Sequence, residues 1–182
     1  MGYAGGTTGS PTYRNIGDHI ETVRVEYDPT VVSYEELLDA FWCSHSPVSP
    51  AYSSQYRSVI FYTNEQQHQL AIESKEAEEN RLGRQIYTDI EPYTAFYAAE
   101  DYHQKYNLRQ RADIVNGLYA IYPDEADFRD STAAARLNGY VVGYGDLDTL
   151  EKDLESLGLS EAGKQALLNI AGSGLRPVCP PN

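Results

Sequence analysis

Basic residues are scarce in this chain: 14 lysines and arginines face 27 aspartates and glutamates, a formal charge of -13. So negative a surface repels phosphate backbones and anionic headgroups, which argues against nucleic acid and membrane partners. Long apolar runs are missing too. None approaches the roughly 20 residues of a membrane-spanning helix, and the N-terminus lacks the basic-then-apolar pattern of a secretory signal. A cytoplasmic protein is the default expectation. Cysteine is limited to Cys43 and Cys179, too few for a disulfide scaffold, and either reads first as an inert thiol. The four histidines, His19, His45, His68 and His103, are scattered with no HExxH or paired-cysteine spacing, so no metal site is expected. No GxSxG elbow exists for a serine hydrolase. The glycine-rich GYAGGTTG lacks the lysine of a phosphate-binding loop.

What the chain does have is tyrosine, 16 of them in 182 residues. Each offers an apolar ring and a hydroxyl that needs a partner when buried. The length suits one domain, or one domain with a long tail. Glycines at 2, 5, 6 and 9 read as a loop able to fold closely around something. Residues 22–27 alternate, with Val23 and Val25 on one face, and predict a half-buried strand over 21–27. Ser33 with Glu36 three residues on forms a capping box for a helix whose apolar face is Tyr34, Leu37, Leu38 and Phe41. Residues 45–50 are a proline-broken loop. A second strand is expected over 57–63, and a polar surface helix runs from the cap Asn64 to about Leu82. A third strand covers 86–92 and a short helix 98–106. Residues 123–136 read as helical, and 136–145 are punctuated by glycine. Two more helices are expected over 148–158 and 160–171, the second capped by Ser160. The end, GSGLRPVCPPN, predicts no stable element. The alternation of strands and helices suggests a mixed sheet packed by helices.

One carboxylate stands out as chemistry. Glu21 sits where loop becomes strand, close in sequence to Tyr13 and His19. A carboxyl among aromatic rings loses solvation, which disfavours its charged form and suits it to donate a proton near neutral pH. A solvated strand-end glutamate is the plainer alternative.

Six blocks in order then matter together: GYAGG at 2–6, PTYR at 11–14, GDHIE at 17–21, YDPTVVSYEELLDAFW at 27–42, QYRSVIFY at 55–62 and FYAAEDYHQKY at 96–106. This set resembles the A-type peptide methionine sulfoxide reductases, which reduce the S-epimer of methionine sulfoxide, in proteins or free, as repair after oxidation. The resemblance implies an α+β, two-layer, ferredoxin-like mixed sheet with helices. It implies a core over 1–110 and a C-terminal extension, helical and then tail-like, over 111–182. It also implies a thiol mechanism: a cysteine attacks the sulfoxide sulfur, the oxygen is protonated and lost, and the resulting sulfenic acid condenses with a second cysteine. Thioredoxin then reduces the disulfide, with no other cofactor. By resemblance Glu21 is the acid, and Tyr13 and Tyr56 hold the sulfoxide oxygen. The part of AEDYHQ at 99–104 is not resolved beyond pocket wall or helix packing.

Two departures qualify the likeness. The loop over 46–56 is shorter than in many members and has no acid before QYRS. Members with the short loop and a long extension carry a resolving cysteine near the C-terminus, which fits Cys179 on a flexible tail. The family nucleophile, in a Gly-Cys-Phe-Trp-Gly motif ahead of GYAGG, has no counterpart, since Met1 directly precedes Gly2. The expectation is a truncated reading that lacks a strand, a helix and the nucleophile, with a selenocysteine codon read as stop as one hypothesis. The chain alone is then expected to be inactive. Cys43 is a poor replacement, because the dipole at a helix C-terminus disfavours a thiolate. The rival readings are a non-catalytic module that grips oxidised methionine, and an unstable fragment.

Overall fold

The computed structural model describes residues 1–177 and Cys179. They form two compact units, Met1–Glu100 and Asp101–Asn182.

The first unit starts directly in a strand. β1 (Gly2–Ala4) is the middle of a three-stranded antiparallel sheet, flanked by β2 (Ile20–Thr22) and β5 (Phe96–Ala98). The expected loop at residues 2–4 is thus a central strand, with Tyr3 and Ala4 only 2% and 1% exposed. Gly2 permits this pairing: a Cβ there would lie 2.3 Å from both the Phe96 ring and the Tyr97 carbonyl oxygen. The strand expected over 21–27 is cut to three residues. Val23 and Val25 are 65% and 55% exposed, so the alternation has the period of a strand without a partner to cover it.

The capping box of α1 (Tyr34–Cys43) forms as expected, with the Glu36 amide donating to Ser33 Oγ at 3.1 Å and the Ser33 amide to Glu36 Oε2 at 2.7 Å. β3 (Ser58–Tyr62) and β4 (Thr88–Pro92) pair in parallel, joined through α2 (Glu65–Leu82) in the crossover such pairing requires. Asn64 caps α2 by accepting from the Gln67 amide, and Gly83 ends it in the left-handed region at φ 61°. Only Ala71 and Glu78 of α2 are buried, as a polar surface helix requires. Leu38, Trp42, Ile60, Ala71 and Ile86 make the core between these elements. The sheets meet at Gly5, whose φ is 75° and whose missing Cβ would fall 2.7 Å from the Phe61 ring. Gly5→Ala combines left-handed strain with overpacking and is expected to cost on the order of 2–4 kcal/mol, read as a lowered midpoint in urea denaturation.

The second unit is helical. Instead of the helix expected over 98–106, the chain leaves β5 and makes a 3-10 turn, Asp101–His103, before the short α3 (Tyr106–Arg109). α4 (Ala112–Ile121), α5 (Glu125–Asp130), α6 (Thr132–Tyr140), α7 (Leu147–Asp153) and α8 (Glu161–Ala171) follow. Their core includes Ile114, Leu118, Phe128, Leu137, Leu150 and Leu167. The C-terminal stretch is less free than the sequence suggests. The Arg176 amide donates to the Gly143 carbonyl at 2.9 Å, the Gly145 amide donates to the Arg176 carbonyl at 3.0 Å, and the guanidinium lies 4.6 Å from the centre of the Tyr144 ring. Gly145 makes the turn possible: its φ is 134°, and a Cβ there would sit 2.5 Å from the Tyr140 ring. The glycine punctuation at 136–145 thus receives the tail as far as Arg176.

Candidate active site

The strand register places the central groups. Tyr3 lies directly opposite Glu21 on one side and Tyr97 on the other, and cross-strand partners project to the same face. The buried Tyr3 hydroxyl donates to Glu100 Oε2 at 2.8 Å, and Glu100 Oε1 accepts the Tyr13 amide proton at 3.1 Å. Tyr13 itself rides a tight turn closed by reciprocal backbone bonds between Thr12 and Asn15, at 3.2 and 3.0 Å.

Tyr56 ends a 3-10 turn, Ser54–Tyr56, that packs on β2, the strand of Glu21. The next residue anchors it, with the Arg57 guanidinium donating to Asp89 at 2.7 Å and to Glu91 at 2.6 Å on β4. The Tyr52 ring lies 5.1 Å from the Tyr56 ring. Partial desolvation, then Tyr56 and the charge of Glu21, push the Tyr52 phenol up, so Tyr52 stands within electrostatic reach of the acid.

The loop before Glu21 is held by its own motif. Asp18 accepts from the amides and hydroxyls of Thr7 and Thr8, at 2.8, 2.8, 3.0 and 2.7 Å. His19 is 1% exposed. Its Nδ1 accepts from the Gly6 amide at 3.2 Å, so the proton sits on Nε2, which donates to the Thr8 carbonyl at 2.7 Å. The threonine donors hold the Asp18 carboxyl well below the usual carboxylate range. A depressed folded-state value means that the clamp's contribution is fully present above the usual range. It is lost only as pH falls through the lower value. The amide shifts of Thr7 and Thr8 are therefore expected to hold steady from neutral pH to about pH 4, near the ordinary aspartate midpoint, and Asp18→Asn to move both.

Glu21, Tyr56 and Tyr13 are thus gathered around one small sheet, Tyr13 through the Glu100 carboxylate and Tyr3. The aromatic enclosure of Glu21 expected from the sequence is incomplete. Glu21 is half-buried, and Tyr13 and Tyr56 are 52% and 42% exposed. Its carboxylate has no hydrogen bond or ion pair among the described residues. Sequence reasoning grouped Tyr3 with Tyr13, His19 and Glu21 as polar groups beside the loop, and missed Tyr52 and the role of Glu100. Glu100 sits within the FYAAEDYHQKY block, so the signal was present without its partner. The clefts beside α2, lined by Glu79, Arg84 and Gln85 and by Lys75, Thr88 and Asp89, contain none of these groups.

The inert-thiol reading of the cysteines is overturned: Cys43 and Cys179 are both disulfide-bonded and neither is a free thiol. Cys43 is the exposed last residue of α1, and Cys179 is half-buried in the second unit. The expected tail residues Val178 and Pro180 to Asn182 lie outside the described residues. Among the described residues no helix is long and apolar enough to cross a membrane.

Residues 1–136 match the family described as Peptide methionine sulfoxide reductase, and residues 123–167 match the helical domain of Selenoprotein methionine sulfoxide reductase A. A peptide methionine sulfoxide reductase of Drosophila melanogaster is 40% identical over 167 residues, covering 91% of this chain and 67% of the relative. Peptide methionine sulfoxide reductase A5 of Oryza sativa is 43% identical over 148 residues, covering 78% and 58%. Among solved structures, reduced Mxr1 of Saccharomyces cerevisiae superposes with a TM-score of 0.55 at 32% identity, over 58% of this chain and 66% of that one. The chain therefore spans between a little over half and two thirds of the length of these relatives.

Proposed function

Because the chain belongs to the peptide methionine sulfoxide reductase family, we propose that Glu21, Tyr13 and Tyr56 handle the oxygen of a methionine sulfoxide on its way to methionine. The observation that carries this reading is the strand register. Glu21 stands opposite Tyr3, which Glu100 ties to Tyr13, while the turn of Tyr56 packs on the acid's own strand. The sulfoxide oxygen is a strong acceptor, and negative charge grows on it as the sulfur is attacked. Two phenol donors stabilise that charge, and a protonated carboxyl neutralises it.

The substrate is the S-epimer of methionine sulfoxide, free or in a protein. The attacking thiolate or selenolate is the one that the Gly-Cys-Phe-Trp-Gly motif supplies in the family. The sulfoxide loses its oxygen, the attacking group leaves oxidised as a sulfenic or selenenic acid, and Cys179, once thioredoxin has reduced the disulfide that holds it, condenses with that acid as a thiol, releasing water. Thioredoxin reduces the resulting bond by thiol–disulfide exchange. No further cofactor enters this scheme, and the acidic composition suits a cytoplasmic setting.

The test is a thioredoxin-coupled assay of NADPH consumption with the S-epimer. Two forms are compared: the chain as it stands, and the chain joined behind a Gly-Cys-Phe-Trp-Gly segment of a relative. Turnover by the joined form, lost on Cys179→Ser but with its first turnover intact, is the expected result. Turnover by the chain as it stands that disappears with Cys43→Ser would instead make Cys43 the nucleophile. A second reading, a module that binds oxidised methionine without reducing it, draws on the absence of a free thiol among the described residues. Binding of a sulfoxide peptide with no turnover by either form would favour it.

A further inference from the structure

We propose that Glu100 is a positioning residue: its carboxylate, braced by Tyr3, sets where the Tyr13 hydroxyl meets the substrate oxygen. This rests on the oxygen-handling reading above. The turn that carries Tyr13 is closed on itself by the Thr12 and Asn15 backbone bonds. Those bonds fix the shape of the turn but do not by themselves tie it to the sheet. Glu100 Oε1 supplies an anchor from outside, gripping the amide of Tyr13 itself across 87 residues of sequence.

The anchor is rigid for three reasons. Glu100 follows immediately on β5 and on Ala99, which is buried and whose amide donates to the Met1 carbonyl at 3.1 Å, extending the β1–β5 pairing to the base of the glutamate. Tyr3, from the middle strand, fixes the second carboxylate oxygen with a hydroxyl that is itself held in a 2%-exposed side chain. And the same Tyr3 lies in register with Glu21, so one strand sets the position of both the acid and the phenol. An amide bonded to a carboxylate is charge-assisted, stronger than a neutral bond at the same site. The sulfoxide oxygen is small, and a donor displaced by an ångström no longer reaches it. Glu100 never touches substrate in this arrangement. It acts through Tyr13.

The experiment is a double-mutant cycle on sulfoxide binding, measured by NMR titration of the chain with a peptide containing S-methionine sulfoxide. Tyr13→Phe removes one hydrogen bond and is expected to weaken binding about fivefold. Glu100→Ala is expected to weaken it by a similar factor in the wild-type background and by less than about twofold in the Tyr13→Phe background, because the hydroxyl it places is already gone. Glu100→Gln keeps an acceptor for the Tyr13 amide and an amide group to pair with the Tyr3 hydroxyl, so it should restore binding to within about twofold of wild type. Tyr3→Phe leaves the backbone of β1 intact and removes the hydroxyl that braces Glu100. It should shift the Tyr13 amide and weaken binding, an effect likewise absent beside Tyr13→Phe. It covers the case in which Glu100→Ala fails to fold. Equal weakening by Glu100→Ala, or by Tyr3→Phe, with and without the Tyr13 hydroxyl would overturn the proposal and leave the oxygen-handling reading standing. No binding of the S-epimer by wild type would bring both down, and is seen before any variant is made.

Discussion

Glu21→Gln is expected to slow sulfoxide reduction by about 100-fold or more, the usual loss when a positioned proton donor is removed. Glutamine keeps the size and a hydrogen-bonding group, so the sulfoxide can still be bound, but it has no proton to give. The loss should therefore fall on kcat with KM changed little, since protonation matters only as the oxygen leaves. The variant is to be compared with wild type in the joined form that carries the family's nucleophile motif, under single-turnover conditions. That restriction matters: with thioredoxin recycling included, a slow disulfide exchange would mask the chemical step. Glu21 is well suited to isolation by this substitution, because its carboxylate has no hydrogen bond or ion pair among the described residues and the fold does not lean on it. An undiminished single-turnover rate in Glu21→Gln would remove it as the acid.

The second large effect is on stability. Phe128→Ala is expected to cost about 3–5 kcal/mol, through lost burial and the cavity left behind. Phe128 is fully buried in the core of the helical unit, packs with its ring centre 5.2 Å from that of Tyr119 at a tilt of 44°, and lies 4.7 Å beneath the Arg109 guanidinium. Arg109 in turn donates to the Gln104 carbonyl at 2.8 Å and to the Tyr119 hydroxyl at 3.1 Å, so the ring is the floor of a polar network as well as a core side chain. A domain's whole margin is about 5–15 kcal/mol, so a loss of this size should drop the denaturation midpoint of this unit visibly in urea, followed by Trp-independent far-ultraviolet circular dichroism. Phe128→Leu, which refills most of the volume, should recover over half of the loss. A midpoint unchanged by Phe128→Ala would mean that this ring does not organise the helical core.

The legible parts of the sequence were those with a local signature. The capping box at Ser33 and Glu36, the cap of α2 at Asn64, and the cap at Ser160 are each fixed by residues within four positions of one another. They form where they were expected. The strand at 20–22 and its neighbours were harder, because a three-residue strand has no periodicity to read. β1 hides in a glycine-rich stretch where only the close approach of Phe96 and Tyr97 explains Gly2. α4 went unread because Val115, Ile114 and Gly117 weaken any helix propensity, and tertiary burial of Ile114, Val115 and Leu118 decides the matter.

The site shows the same division. Glu21, Tyr13 and Tyr56 were picked out by their motifs. The clamp of Asp18 and His19 on the preceding loop, and the bridge from Glu100 to Tyr13, depend on contacts 10 to 87 residues apart. No spacing rule reaches that far. Tyr52 has the weakest local signal of all, one tyrosine among 16 in a serine-rich loop. Only its ring contact with Tyr56 brings it to the acid.

The most direct measurement is an NMR titration of the isotope-labelled chain with three peptides that differ only at one residue: S-methionine sulfoxide, R-methionine sulfoxide and methionine. If Glu21, Tyr13 and Tyr56 form an oxygen-binding site, the S-epimer alone should produce saturable shifts, centred on Glu21, Tyr13, Tyr56 and the Thr7–Thr8 loop. Equal shifts from all three peptides, or shifts confined to residues far from β2, would contradict it.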